Sequence, residues 1–193
     1  RRQRQMCIRD RHNDMALADA INVIDGVIIL SCFFQFKVFP AINKPAVPLD
    51  TTVQYFDLKT KIKSVVPLYQ ASEGTQNEKG DWIFIRPADH GDAAKRYVGG
   101  TARQIWKFDG NNEAVKLTND YDGESHKPMW YDGRVFFISD RDGIMNIWSM
   151  DSDGNNLEQH TKHKEYDVRY ANIHDGKIVY QHAADIWLLD VST

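Results

Sequence analysis

Cysteine is scarce in this 193-residue chain, with only Cys7 and Cys32 present. Two cysteines exclude a disulfide framework and a thiolate metal cage. No H-E-x-x-H helix and no G-x-S-x-G elbow occurs, so neither common hydrolase signature is available. No cofactor or metal is expected. The most apolar run, residues 21–39, is broken by Asn22, Asp25, Gln35 and Lys37. A membrane helix needs about 20 mostly uncharged apolar residues. Asp25-Gly26 inside the run is a hairpin signal, so two strands are expected there, not a span. The net charge of −3 implies no bulk attraction to nucleic acid or membrane.

Charge is nonetheless uneven. Residues 1–11, RRQRQMCIRDR, hold five Arg against one Asp, which leaves −7 for the rest of the chain. A basic arm can bind nucleic acid. The string MCIRDR, however, resembles a translated sequencing adaptor of the kind found at the ends of environmental gene fragments. Residues 1–11 are therefore set aside from fold reasoning as an expected artefact. A flexible natural terminus and a functional arm are the alternatives.

What the chain does have is a repeat. QIWKFD at 104–109, NIWSMD at 146–151 and DIWLLD at 185–190 share an apolar residue, Trp, two residues and Asp. TVQYFD at 52–57 is a weaker copy with Gln54 in the Trp slot. Before these strands lie turn pairs followed by β-rich runs: Asp25-Gly26, Asp132-Gly133, Asp175-Gly176 and the degenerate Lys79-Gly80. Asp-Gly supplies the positive φ that tight hairpins require.

The unit reads strand, turn, strand, loop, IWxxD strand, turn, strand in about 40 residues, a propeller-blade period. In RVFFISD, Val135, Phe137 and Ser139 face one way, and Phe136 and Ile138 the other. Apolar residues on both faces suit a sheet packed between two neighbours. The fold expected is all-β, a β-propeller fragment of about 3.75 four-stranded antiparallel blades from a six-bladed ring. The blades fall at about 12–68, 72–118, 124–161 and 166–193. Insertions at 35–51 and 88–103 separate the second and third strands of the first two.

The runs KRYVGGTARQIWKFD (95–109), KLTND (116–120), KPMWYDGRVFFISDRDGIMNIWSMD (127–151) and YDVRYANIHDGKIVYQ (166–181) resemble the TolB-type propellers. More narrowly, they resemble the N-terminal six-bladed propeller of the tricorn protease family. The likeness covers 72–190 closely and 12–71 more loosely. Gln54 and the EGTQNEKG stretch depart from the family pattern. The resemblance implies the non-catalytic propeller of a large serine peptidase that trims short peptides, framing a route to an internal chamber. It places the catalytic region well beyond this propeller, so no catalytic residue is carried over. The implied partners are peptides and the other domains of a longer chain, with self-association left open and a cytoplasmic location expected, the periplasm being the alternative. A TolB-like binding scaffold and the propeller of a prolyl-oligopeptidase-like hydrolase are the competing readings.

Among individual residues, the insertion at 88–103 is the expected functional surface, because long loops on rigid scaffolds carry binding. Lys95, Arg96 and Tyr97 there either meet a peptide carboxylate or a neighbouring domain, or pack over the propeller edge. His160 and His163 stand three apart, a spacing that serves metal ligands, but polar turn histidines are favoured. Asp151-Ser152-Asp153-Gly154 opens like a calcium loop yet lacks the later ligands, so an Asx-type turn is expected. Asp140-Arg141-Asp142-Gly143 is read as a turn whose Asp and Arg bond to backbone. Trp106, Trp148 and Trp187, one per repeat, are read as packing between blades.

Overall fold

The computed structural model describes residues 17–24, 27–33, 52–57, 60–68, 70–87 and 96–192. All regular structure among them is β. Strands β1 (Leu17–Ile24), β2 (Val27–Phe33), β3 (Thr52–Asp57) and β4 (Lys63–Val65) form one antiparallel sheet in chain order. The second sheet is β5 (Ser72–Gln76), β6 (Trp82–Arg86), β7 (Gln104–Phe108) and β8 (Val115–Lys116). The third is β9 (Ser125–Tyr131), β10 (Arg134–Ser139), β11 (Asn146–Asp151) and β12 (Glu158–Gln159). The fourth holds β13 (Val168–His174), β14 (Lys177–His182) and β15 (Asp185–Asp190). This is the blade architecture of a propeller.

The chain divides into two compact units, residues 1–72 and 73–193. In the first, β1 and β2 pair antiparallel across the apolar run, with Ile24 opposite Val27. The described part of that run, 21–24 and 27–33, is strand, and no helix among the described residues is long and apolar enough to cross a membrane. Residues 1–11, the Asp25-Gly26 turn, the whole 35–51 insertion and residues 88–95 of the other, Lys95 included, lie outside the described residues.

In the second unit the alternation along β10 separates two cores. Val135 and Phe137 join Ile83, Ile85, Ile105, Leu117 and Met150 between the second and third sheets. Phe136 and Ile138 join Met129, Ile147, Val168, Ala171, Ile178 and Tyr180 between the third and fourth. Each face thus buries against a different neighbour, and a one-residue slip would send each set of side chains into the other core.

The Asp-Gly turns behave as their chemistry dictates. Asp132 and Gly133 have φ of 45° and 75°, and Asp175 and Gly176 have 47° and 66°, the double positive φ of a type I′ hairpin. The Asp closing each IWxxD strand has a second local role. Asp109 Oδ1 accepts from the amides of Asn111 (2.9 Å) and Asn112 (2.8 Å). Asp151 Oδ1 accepts from Asp153 (2.9 Å) and Asn155 (2.8 Å). Asp57 and Asp190 repeat this with the amides of Thr60 and Ser192. The 151–154 segment is therefore an Asx-type turn. The turn amides hold the Asp109 carboxyl down at about 2, because they bond to the charged form.

The tryptophan slot meets expectation in part: Trp148 packs against the core between the second and third sheets. The isoleucine before it is the fully buried member: Ile105 and Ile147 are 0% exposed. Trp106 and Trp148 are only partly buried, and Trp187 is 44% exposed. A cation covers the first two rings, with the Arg86 guanidinium 5.1 Å from Trp106 and that of Arg141 5.4 Å from Trp148.

Candidate functional site

Strands run alternately up and down, so the loops between second and third strands and the connectors from one sheet to the next gather at one end of the second unit. Residues 96–103, 117–124, 140–145, 160–167 and 183–184 make up this end. Its floor is a repeated clamp. Gln104, buried just before Ile105-Trp106, accepts from the Thr118 hydroxyl (2.6 Å) and donates to the Gly123 carbonyl (2.6 Å). Asn146, in the same slot of the third sheet, accepts from the Thr161 hydroxyl (2.9 Å) and the His163 amide (3.0 Å). It also donates to the His163 carbonyl (3.1 Å). Each threonine hydroxyl in turn accepts from the isoleucine amide, Ile105 at 3.2 Å and Ile147 at 2.8 Å. The clamp seats each connector on its blade and satisfies buried polar groups that would otherwise be costly.

Above this floor lies the inserted loop. Arg96, at φ 57°, donates from Nε to the Gly143 carbonyl of the third sheet at 2.7 Å. Tyr97 is 39% exposed and folds over Gly99, where an added Cβ would stand 2.6 Å from its hydroxyl. The loop returns through Arg103, whose Nε is 2.6 Å from Glu124 Oε2 in a largely buried pair. Arg96 is thus brought to the third sheet's turn, while Tyr97 packs on its own loop and keeps a partly open ring.

The 140–143 turn uses its charges on side chains as well as backbone. Asp140 Oδ1 accepts from the Glu124 amide and the Tyr121 hydroxyl, both at 3.0 Å. Burial, then this contact with Asp140, pushes the Tyr121 phenol up to about 12. Arg141 does not bond to backbone as expected. Its Nη1 reaches Asp120 at 2.8 Å, and its guanidinium lies over Tyr121, Phe137 and Trp148. His160 and His163 part company: His160 Nε2 bonds Ser149 Oγ at 2.8 Å, whereas His163 stacks on His182.

One further ion pair joins first strands. Glu73 on β5 accepts from the Lys127 amide (2.8 Å) and its ammonium (3.0 Å) on β9. Burial alone would raise the Glu73 carboxyl, but the neighbouring His126 and Lys127 outweigh it and hold it far below the usual range. The sequence reading missed this pair and the clamp. The clamp leaves a signal in the repeats: Gln or Asn before Ile-Trp, with a Thr 14 or 15 residues on. Glu73–Lys127, 54 residues apart, leaves none.

Among the described residues, the polar groups of this end are spent on joining blades. The family model for the tricorn protease N-terminal beta propeller domain matches residues 45–193. Tricorn protease homolog 1 of Streptomyces coelicolor is 35% identical over 97 residues, covering 50% of this chain and 9% of the relative. The tricorn protease homolog of Saccharolobus solfataricus is 38% identical over 97 residues, with the same coverage of 50% and 9%. The aligned stretch is thus under a tenth of either relative's length. Among solved structures, the tricorn protease superposes with a TM-score of 0.66 at 22% identity, over 86% of this chain and 15% of that one. TolB from Acinetobacter baumannii gives 0.60 at 15% identity, over 87% and 39%. With its blades, its repeat and the match over 45–193, the chain belongs to the family of tricorn protease N-terminal β-propeller domains.

Proposed function

We propose that this chain is the non-catalytic propeller portion of a tricorn-like serine peptidase that degrades short peptides, and that it frames the passage of substrate or product. Catalysis then resides in other domains of a longer, cytoplasmic and self-associating protein. The observation that carries this reading is the outer face of the fourth sheet. Val179, opposite Leu188 in the register, and Ile186 expose 45%, 61% and 81% of their surface. The matching faces, Ile85 with Ile105 and Ile138 with Ile147, are wholly buried by the following sheet. An apolar sheet face of this kind is built to be covered. In this reading Lys95 and Tyr97 of the inserted loop face the peptide or an adjoining domain, and Arg96 fixes that loop through Gly143.

Two measurements test the reading. The 193-residue chain alone hydrolyses no short peptide, and activity that survives repurification overturns the assignment. Coding sequence recovered downstream of Thr193 encodes a peptidase domain. A gene that closes its ring and stops would favour a binding scaffold.

A further inference from the structure

A histidine pair that the clamp does not require links the connector between the third and fourth sheets to β14. His163 and His182 lie face to face, ring centroids 3.7 Å apart and planes 20° from parallel. His163 Nε2 is 3.2 Å from the Tyr180 hydroxyl. Trp187 stands edge-on to both imidazoles at 5.4 and 5.7 Å, and Tyr166 edge-on to His182 at 6.1 Å. His163 belongs to the connector, whereas His182, Tyr180 and Trp187 belong to β14 and β15. The stack therefore fastens the connector to the fourth sheet through the His163 ring, whose backbone the Asn146 clamp holds.

We infer that the stacked His163–His182 pair is a proton-sensitive fastener, holding connector 160–167 against β14 and β15 when both rings are neutral and loosening it when both are protonated. Two imidazolium rings at this separation repel, and the surrounding groups offer little to offset the charge. The faces packed on the pair are Tyr180, Trp187 and Tyr166. The connector's own charged residues are Lys162, Lys164, Glu165 and Asp167. Asp167 is engaged with the Met145 amide and Arg169. Asp142, in the turn before β11, is taken by Asn146 and Gln159, and β15 opens on Asp185. Burial, then the neighbouring His182, lowers His163 below the ordinary 6.5. The unfolded chain then takes up its proton first as pH falls, so the fastening is complete above 6.5 and is lost below it.

His160 is lowered by burial as well, so a global melt would mix two histidines. The test therefore reads the connector itself in the full 193-residue chain. Hydrogen exchange is followed at the His163 amide, which donates to Asn146, and the Val168 amide, which donates to the Met145 carbonyl. Protection at both falls at least about tenfold from about pH 7.5 to about pH 5, the equivalent of one pKa unit or more. In His182→Phe, which keeps a flat ring without a proton site, it changes by no more than about twofold, and the His163 ring titrates at higher pH. His163→Phe gives the same flat profile and stands in if His182→Phe does not fold. An equal fall in wild type and variants, no fall in wild type, or a His163 titration indifferent to His182→Phe overturns the inference.

Discussion

Asn146→Ala tests the clamp most directly. The side chain is 0% exposed and serves the Thr161 hydroxyl, the His163 amide and the His163 carbonyl. Truncation leaves these groups without Asn146 in a site closed to solvent, and each stranded buried group costs about 1–3 kcal/mol. Connector relaxation will rescue some of them, so a loss of about 3 kcal/mol is expected, against total stabilities of roughly 5–15 kcal/mol for domains. At about 2–4 °C per kcal/mol for a chain of this size, the melting temperature falls by roughly 10 °C. Urea unfolding followed by tryptophan fluorescence reads this as a lower midpoint at an unchanged slope. Asn146→Gln supplies the control, because Gln104 fills the same slot in the second sheet. It should recover at least half of the loss. A cost below about 1 kcal/mol for Asn146→Ala, the range of an ordinary surface change, would refute the reasoning.

Further perturbations separate depth from pattern. Ile147→Ala, at a fully buried position, should cost about 2–5 kcal/mol in the same unfolding assay, whereas Trp187→Ala, on a ring 44% exposed, costs clearly less. Glu73→Gln leaves Lys127 without its buried counter-charge, and removing one partner of a buried pair costs about 3–5 kcal/mol. Because the folded Glu73 carboxyl lies below its ordinary 4.5, its contribution is present above that value and is lost as pH falls. An acid-unfolding curve should therefore be shallower in the variant. Gly154→Ala and Gly110→Ala share a positive φ of 87° and 89°. Only at Gly154 does the added Cβ meet backbone, 2.6 Å from the Leu117 carbonyl oxygen of the neighbouring sheet. Thermal melts should show Gly154→Ala as the more damaging change.

The repeat made the blades legible because its determinants are local. Asp132-Gly133 and Asp175-Gly176 carry their turn geometry in their own dihedral preferences. Asp109 and Asp151 close turns through amides within four residues. Alternation in RVFFISD separates two cores because side chains in a strand point to opposite faces. The loop residues were less legible. Arg96 has as its partner a carbonyl 47 residues away, and Arg141 has Asp120, on a connector 21 residues back.

By itself, then, the sequence determined which positions are equivalent: strand, turn, inner face, outer face and the slot before each Ile-Trp. The tertiary structure alone decided what each equivalent position became. Ile105, Ile147 and Ile186 occupy one slot, yet the first two are sealed and the third is 81% exposed. Burial belongs to the neighbouring sheet, and no residue encodes its own neighbour. The same holds for His163 and His182, which are 19 positions apart in the chain and become stacked rings only when the fourth sheet docks on the third.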